Sequence, residues 1–387
     1  MNEILEDSYK IMIFSWNTES ISLGGTLDKE EYDIDNKTYS KILNNLKYKC
    51  YIPDFYKELY NFIKDNNPDI LVVGFQEDRF PGSYFHSHLL PKELTKLNYQ
   101  LLKRNKLMGV GITTYKGLLN CDTFVRGLRL SIYVRKDKIN ISVIENKNER
   151  YICTSLLTRS KGGVILSINI ELMNNKHIRI GFICAHLPFN SKSIIDERLY
   201  TNKMLRQNEL NITNTCFNKI IENLVLDNNI NYDYIIYFGD LNYRISEHRP
   251  ADTIANELLS NDSQYIKELY ENFDELKCQM DKQNIYKFNE GIDNNGPIFL
   301  PTCKMLKNRD FKNRDLKNTN LKNTNLNNIN WKLGKYNHRI PSWCDRILYK
   351  KYTKNNHNIK CIYYDRFDFG ATMAKSDHAA VMSIFVI

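Results

Sequence analysis

The 387 residues are 42% hydrophobic and 12% aromatic, which excludes a globally disordered chain and allows either several ordinary domains or one large sandwich. Of the formal net charge of +9, the segment from Cys303 to Lys335 carries +7 (nine Lys or Arg against two Asp), so the basic balance describes one stretch and argues against a nucleic-acid groove across the body. Nine cysteines without regular spacing point to reduced thiols in an intracellular chain, not to a disulfide framework.

The first seven residues show no basic region leading into an apolar one, so no secretory leader is expected. No apolar run approaches the roughly 18 residues of a membrane span, and the last residues lack a prenylatable cysteine, so any membrane contact is expected to be peripheral. Residues 11–14 read as a buried strand that delivers Trp16 and Asn17 to one rim of a sheet, although an Asn there also serves as an ordinary turn residue. Pro53 opens an amphipathic helix over 53–63. A second strand, 69–77, ends in Gln76 and Glu77. Two strands tipped with oxygen donors begin to favour a metal site, because Mg²⁺ is held by one or two carboxylates with water and substrate completing its shell. His86 and His88, two residues apart in a loop, are read as structural.

Between 109 and 183, four β-type runs (110–115, 128–134, 164–170 and 178–183) with short polar connectors indicate antiparallel sheets. Ser160-Lys161-Gly162-Gly163 interrupts them; the glycines allow close backbone approach and the lysine suits a phosphate, while the same pair also marks a simple turn. The run 178–185 delivers His186, and a helix over 191–226 covers the sheet from outside. Residues 234–238 form the strongest buried strand and feed Gly239-Asp240-Leu241-Asn242; if strand alternation persists, Asp240 and Asn242 share a face. Residues 250–280 read as helical scaffold. Five pentapeptides over 307–331, too few to stack a solenoid core, read as a basic Asn/Lys-rich insertion (305–334) within a single domain covering 8–387, with a charge that suits acidic headgroups.

Phe238-Gly239-Asp240-Leu241-Asn242-Tyr243-Arg244 and Pro341-Ser342-Trp343-Cys344-Asp345-Arg346 closely resemble the two motifs of the inositol polyphosphate 5-phosphatases. These are magnesium-dependent enzymes that remove the 5-phosphate from inositol phosphates or phosphoinositide lipids. Ser160-Lys161-Gly162-Gly163-Val164 is similar to that family's Asn-Lys-Gly-Gly-Val, and Ala185-His186-Leu187-Pro188 to its Ser-His-Leu-Ala/Pro. The resemblance runs from Trp16 to His378. It departs at Cys303, where the family has the Tyr of a Tyr-Lys pair completed here by Lys304, and at Asn337, where the family has Lys; both departures fall in the pocket for the ring's 4-phosphate.

The resemblance implies an α+β fold, a four-layer α/β/β/α sandwich of two mainly antiparallel sheets like that of deoxyribonuclease I. It implies Mg²⁺ on Glu77 and Asn17, Asp240 as the base for the attacking water, and Asn242 orienting that water. His378, held as imidazolium by Asp345, would stabilise the transition state, with Asp377 close to the metal. His186 would touch the scissile phosphate, and Lys161, Lys304 and Arg339 the other phosphates. The expected partner is an inositol phosphate or a phosphoinositide such as PtdIns(4,5)P2, in the cytoplasm or at the surface of an anionic membrane, with no nucleic acid and with oligomeric state left open. A metal-dependent endonuclease of the same fold and a non-catalytic phosphoinositide-binding module remain as alternatives. A cysteine phosphatase on Cys153-x5-Arg159 fits less well, because Leu156 and Leu157 suit a strand better than a phosphate-encircling loop.

Overall fold

The computed structural model describes residues 8–18, 53–79, 90–113, 122–154, 161–172, 176–189, 203–247, 249–260, 262–303, 340–353, 358–367 and 376–387. Branched and aromatic residues suit a half-buried pleated surface, and among the described residues they build thirteen strands. These are β1 (Lys10–Asn17), β2 (Ile70–Arg79), β3 (Tyr99–Thr113), β4 (Asp122–Arg135), β5 (Ile141–Ile144), β6 (Arg150–Ile152) and β7 (Gly162–Glu171). They continue with β8 (His177–His186), β9 (Tyr234–Asp240), β10 (Asn289–Glu290), β11 (Asp345–Lys351), β12 (Lys360–Phe367) and β13 (Ala380–Val386). The helices are α1 (Pro53–Asn66), α2 (Leu90–Lys96), α3 (Lys203–Ile221), α4 (Ala251–Leu259), α5 (Ser263–Phe273) and α6 (Glu275–Asp281).

One sheet runs β12-β13-β1-β2-β4-β3 and the other β10-β11-β9-β8-β7-β5, with β6 on β7. Among the described residues each contains a single parallel pair, β1 with β2 and β8 with β9, and antiparallel pairing elsewhere. A parallel pair needs a crossover long enough to hold a helix. α1 lies within the first connection and α3 within the second. The expected strands are present among the described residues, which leave out 114–115 of the expected run 110–115 and 191–202 of the expected helix 191–226, and the sandwich is the α+β architecture expected from the sequence.

Side-chain alternation sorts the second sheet's residues between two apolar layers. Leu166, Ile168, Phe182, Ile236, Phe238 and Ile347 face the core between the sheets. Ile165, Ile183, Ile235, Tyr237 and Leu348 face outward beneath Phe217, Ile220 and Leu224 near α3 and Leu276 and Met280 of α6. Across the interface Gly74 of β2 leaves room for the Phe238 ring, where a Cβ would lie 2.4 Å from Cε2. On the first sheet's outer face Phe62 of α1 packs on Tyr363 and Phe367, ring centroids 5.4 and 5.5 Å away. Burying each large aliphatic or aromatic side chain contributes about 1.5–3 kcal/mol before entropy is counted, so the two layers hold the strand ends rigidly.

The helical scaffold expected at 250–280 is present as three helices, because Asp262 and Asp274 act as N-caps, accepting from Gln264 N and Lys277 N at 2.9 Å each, and so restart the helix. One expectation is corrected. Not all thiols are reduced: Cys153 and Cys216, 63 residues apart with Cα atoms 5.6 Å from each other, form a disulfide from the end of β6 to α3. Cys184, Cys278, Cys303, Cys344 and Cys361 are free. The insertion at 305–334 and the pair His86 and His88 lie outside the described residues.

Candidate active site

Register alone gathers the functional side chains. His186 at the end of β8 pairs with Asp240 at the end of β9, and Asp240 with Asp345 at the start of β11. In the other sheet Asn17 pairs with Gln76, and His378, two residues before β13, bridges to Cys303. Gly239 (φ +134°) lets β9 approach β8 just before Asp240, since a Cβ there would sit 2.0 Å from Ala185 O. Gly162, beside Lys161, has a similar close approach to Tyr151 O. β2 breaks register between Phe75 and Asp78, and Glu77 adopts φ +52° within this irregularity. The buried Asp78 pairs with Arg129 of β4 behind it. Burial pushes the Asp78 carboxyl up to about 6, against the pull of Arg129.

Asp240 is the hub. Its Oδ2 accepts from Asn17 Nδ2 at 2.7 Å and its Oδ1 from the Asn242 backbone N–H at 3.1 Å. His186 Nε2 lies 3.2 Å from Oδ2 and 3.8 Å from Glu77 Oε1, and Lys161 Nζ contacts the same ring nitrogen. Burial alone would raise the Asp240 carboxyl, but the His378 charge, His186 and Lys161 together hold it below the ordinary carboxylate range, so it is ionised. The His186 imidazole is pushed the other way, down, by burial and by the Lys161 charge.

His378 approaches from the opposite side. Asp345 Oδ2 holds its Nδ1 at 2.8 Å and also accepts from Thr302 Oγ1 at 2.8 Å. The backbone is pinned as well: Trp16 Nε1 donates to His378 O at 3.0 Å, His378 N donates to Ser376 Oγ at 3.1 Å, and Ser376 Oγ donates to Asn17 O at 2.7 Å. Nε2 points inward, 4.0 Å from Asp240 Oδ2, 3.7 Å from Asp377 Oδ1 and 3.5 Å from Cys303 Sγ. Burial would lower this imidazole, but the charges of Cys303, Asp345 and Asp240 raise it well above its ordinary value. It is an imidazolium at neutral pH.

Asn242 differs from the expectation. β9 stops at Asp240 and Asn242 turns left-handed (φ +58°), so strand alternation does not place the two side chains together. The Asn242 amide donates to Leu187 O at 3.0 Å and accepts from Arg244 Nη2 at 2.8 Å; it is the backbone N–H that reaches Asp240. Arg244 stacks over Phe189, 4.3 Å from the ring centroid, and extends Nη1 to Cys303 Sγ at 3.4 Å. Neither Arg244 nor Thr302 is a site residue that spacing alone identifies; both contacts arise where distant loops meet.

Of the expected set, Asn17, Glu77, Lys161, His186, Asp240, Asp345, Asp377 and His378 come together, while Lys304 and Arg339 lie outside the described residues. Cys153, the nucleophile of the cysteine-phosphatase reading, is bonded to Cys216. The Asn17 and Glu77 pair suits Mg²⁺: both are hard oxygen donors at adjacent strand ends, and Asn17 turns its Nδ2 toward Asp240, so its Oδ1 lies on the other side of the amide.

Residues 15–384 match the family model described as endonuclease/exonuclease/phosphatase family 2. The chain is 26% identical over 335 residues, 84% of its length and 76% of the relative's, to the type IV inositol polyphosphate 5-phosphatase 11 of Arabidopsis thaliana. It is 26% identical over 329 residues to the type II inositol 1,4,5-trisphosphate 5-phosphatase of Mus musculus, covering 83% of this chain but only 27% of that one. Among solved structures, the inositol polyphosphate 5-phosphatase domain of SPsynaptojanin, in complex with inositol (1,4)-bisphosphate and calcium ion, superposes with TM-score 0.58 at 19% identity. That match covers 98% of this chain and 84% of the other and shows the shared fold.

Proposed function

The chain belongs to the endonuclease/exonuclease/phosphatase family 2, and from that premise we propose that it is a metal-dependent phosphomonoester hydrolase releasing the 5-phosphate of inositol polyphosphates or phosphoinositides. The relatives' names support the substrate class. The observation that carries the reaction is the opposition of two groups across one small space: an ionised Asp240 and an imidazolium His378 whose Nε2 lies 4.0 Å from Asp240 Oδ2.

Mg²⁺ on Glu77 and Asn17 would polarise the phosphoryl group and offset the charge that develops on it. The protein's own groups then divide the work. Asn17 and the Asn242 N–H fix both oxygens of Asp240, aiming the carboxylate at the entering water. An arriving phosphate adds negative charge beside Asp240 and raises its proton affinity, so a carboxylate held low in the free protein becomes a competent base once substrate is present. His378, steadied by Asp345, donates Nε2–H to a phosphoryl oxygen and stabilises charge that grows toward the transition state. His186 and Lys161 stand on the Glu77 side of Asp240 and bind the same phosphoryl group as a neutral imidazole and a cation.

The test is phosphate release from inositol 1,4,5-trisphosphate, from vesicles bearing PtdIns(4,5)P2, from inositol 1,4-bisphosphate and from duplex DNA, each with Mg²⁺ or with chelator. Release that needs Mg²⁺ and the 5-phosphate supports the reading. Chelator-resistant release, or faster cleavage of DNA, overturns it. The split between the soluble and the vesicle substrate identifies which of the two forms is preferred.

A further inference from the structure

We infer that the rim contains a second metal site, for a thiophilic divalent cation such as Zn²⁺, built from Cys303 Sγ, His378 Nε2 and Asp240 Oδ2, and that its occupation shuts the hydrolase off. The site is separate from the Asn17 and Glu77 pair and uses a different donor chemistry. Tetrahedral zinc with Zn–S of about 2.3 Å and Zn–N of about 2.0–2.1 Å places sulfur and nitrogen about 3.5 Å apart. Cys303 Sγ and His378 Nε2 stand 3.5 Å apart. Asp240 Oδ2, 4.0 Å from the same nitrogen, reaches its place in the tetrahedron by a shift of about 0.7 Å. Ligand atoms of Asp240, Asp345 and His378 all lie within 4.8 Å of one another, and all three residues are buried.

The surroundings are those of a metal-ligating histidine. Such a ring gives its second nitrogen to a carboxylate, which fixes its orientation and raises the basicity of the ligating nitrogen. Asp345 does this at Nδ1, with Thr302 Oγ1 bracing the same carboxylate oxygen. Burial would keep the Cys303 thiol neutral. The Cys344 thiol, the His378 charge and Arg244 outweigh burial and lower it from the ordinary range, and a thiophilic cation displaces the protons of Cys303 Sγ and His378 Nε2 to solvent as it binds. Cys344, against Cys303, or a water completes the coordination. Mg²⁺ has little affinity for sulfur and imidazole, whereas Zn²⁺ prefers them.

The consequence follows from which atoms are taken. His378 Nε2 is the atom that faces the phosphoryl oxygen, and Asp240 Oδ2 belongs to the base, so a cation held by both removes acid and base together. At position 303 the Tyr of the 5-phosphatase pattern would supply no soft donor; the departure to Cys creates one.

The inhibition arm rests on the hydrolase reading, and the binding arm does not. Co²⁺, a coloured stand-in for Zn²⁺, is titrated into the full-length protein. A thiolate-to-cobalt charge-transfer band should saturate at one equivalent and be bleached by Zn²⁺. It should vanish in Cys303→Ser and persist in Cys278→Ser and in a Cys153→Ser/Cys216→Ser double variant. No band in the wild-type protein overturns the site, as does a band that survives in a Cys303→Ser variant with wild-type circular dichroism. If Cys303→Ser does not fold, His378→Gln reads the same band, which should be lost. In phosphate release, Zn²⁺ should inhibit at concentrations about a hundredfold lower for wild type than for Cys303→Ser, since even changes behind a ligand cost 10- to 100-fold in metal affinity. Equal inhibition of the two overturns the inhibitory role.

Discussion

Asp345 and Arg346 are neighbours in the chain, and each anchors a buried cluster of charge, yet the two clusters are built to opposite ends. Arg346, 0% exposed, gives Nε to Glu290 at 2.6 Å, Nη1 to Asp274 at 2.9 Å and to Trp343 O at 3.3 Å, and Nη2 to Glu290 as well. Glu290 is also held by Tyr364 at 2.8 Å. This cluster is closed: cation and anions satisfy one another, and it ties β11 to β10 and to the α5–α6 junction. The Asp345 side is open. His186 Nδ1 and Asp345 Oδ1 are buried without a hydrogen-bond partner among the described residues, and Glu77 and Asn242 adopt left-handed backbone. Unmet polar capacity and backbone strain gathered at one cluster of charge suit a site that a ligand completes, whereas a matched buried ion pair serves the fold.

The widest separation between the clusters should appear in rate. Asp240→Asn should lower kcat by about 10²–10⁴-fold, while thermal melting stays near that of the wild type. Breaking the closed cluster should do the reverse: Arg346→Met strands Asp274 and Glu290 as buried charges and should cost about 3–5 kcal/mol of stability, read from urea unfolding, with turnover per folded molecule little changed. If Arg346→Met instead lost turnover at full stability, the two clusters would not be distinct.

A smaller effect sharpens the boundary on the β2 side. Arg129→Met removes the charge behind Asp78 and loosens the irregularity that presents Glu77. The Mg²⁺ concentration for half-maximal rate should rise about tenfold, the usual cost of disturbing the residues behind a metal ligand. The smallest change is in the pH profile. His378 acts while protonated, and the Asp345 charge helps hold its proton affinity above the ordinary value. Asp345→Asn should therefore lower that affinity and move the alkaline limb of kcat/KM down by about one unit or more; an unmoved limb would separate Asp345 from His378.

Much of this was legible in the sequence because apolar runs ending in a polar residue announce strands that deliver side chains to a rim. Trp16-Asn17, Gln76-Glu77, His186 and Asp240 all follow that rule, and the motif resemblance tied them to one reaction. The failures share a physical cause. Asn242 departs from strand geometry because Asn tolerates positive φ, which a period-two pattern does not register. The structural role of Arg346 depends on Asp274 and Glu290, 72 and 56 residues away, and the Cys153–Cys216 bond on a partner 63 residues away; spacing within a motif carries no information about either. The helix breaks at Asp262 and Asp274 were readable as caps, a local signal that apolar periodicity obscures.

The account rests on Asp240 and His378 facing one phosphorus atom. The most direct measurement is a crystal structure of the slow Asp240→Asn variant with inositol 1,4,5-trisphosphate and Mg²⁺. The prediction is a 5-phosphate oxygen about 3 Å from His378 Nε2 with the cation on Glu77. A phosphate bound away from His378, or a cation away from Glu77, would contradict it.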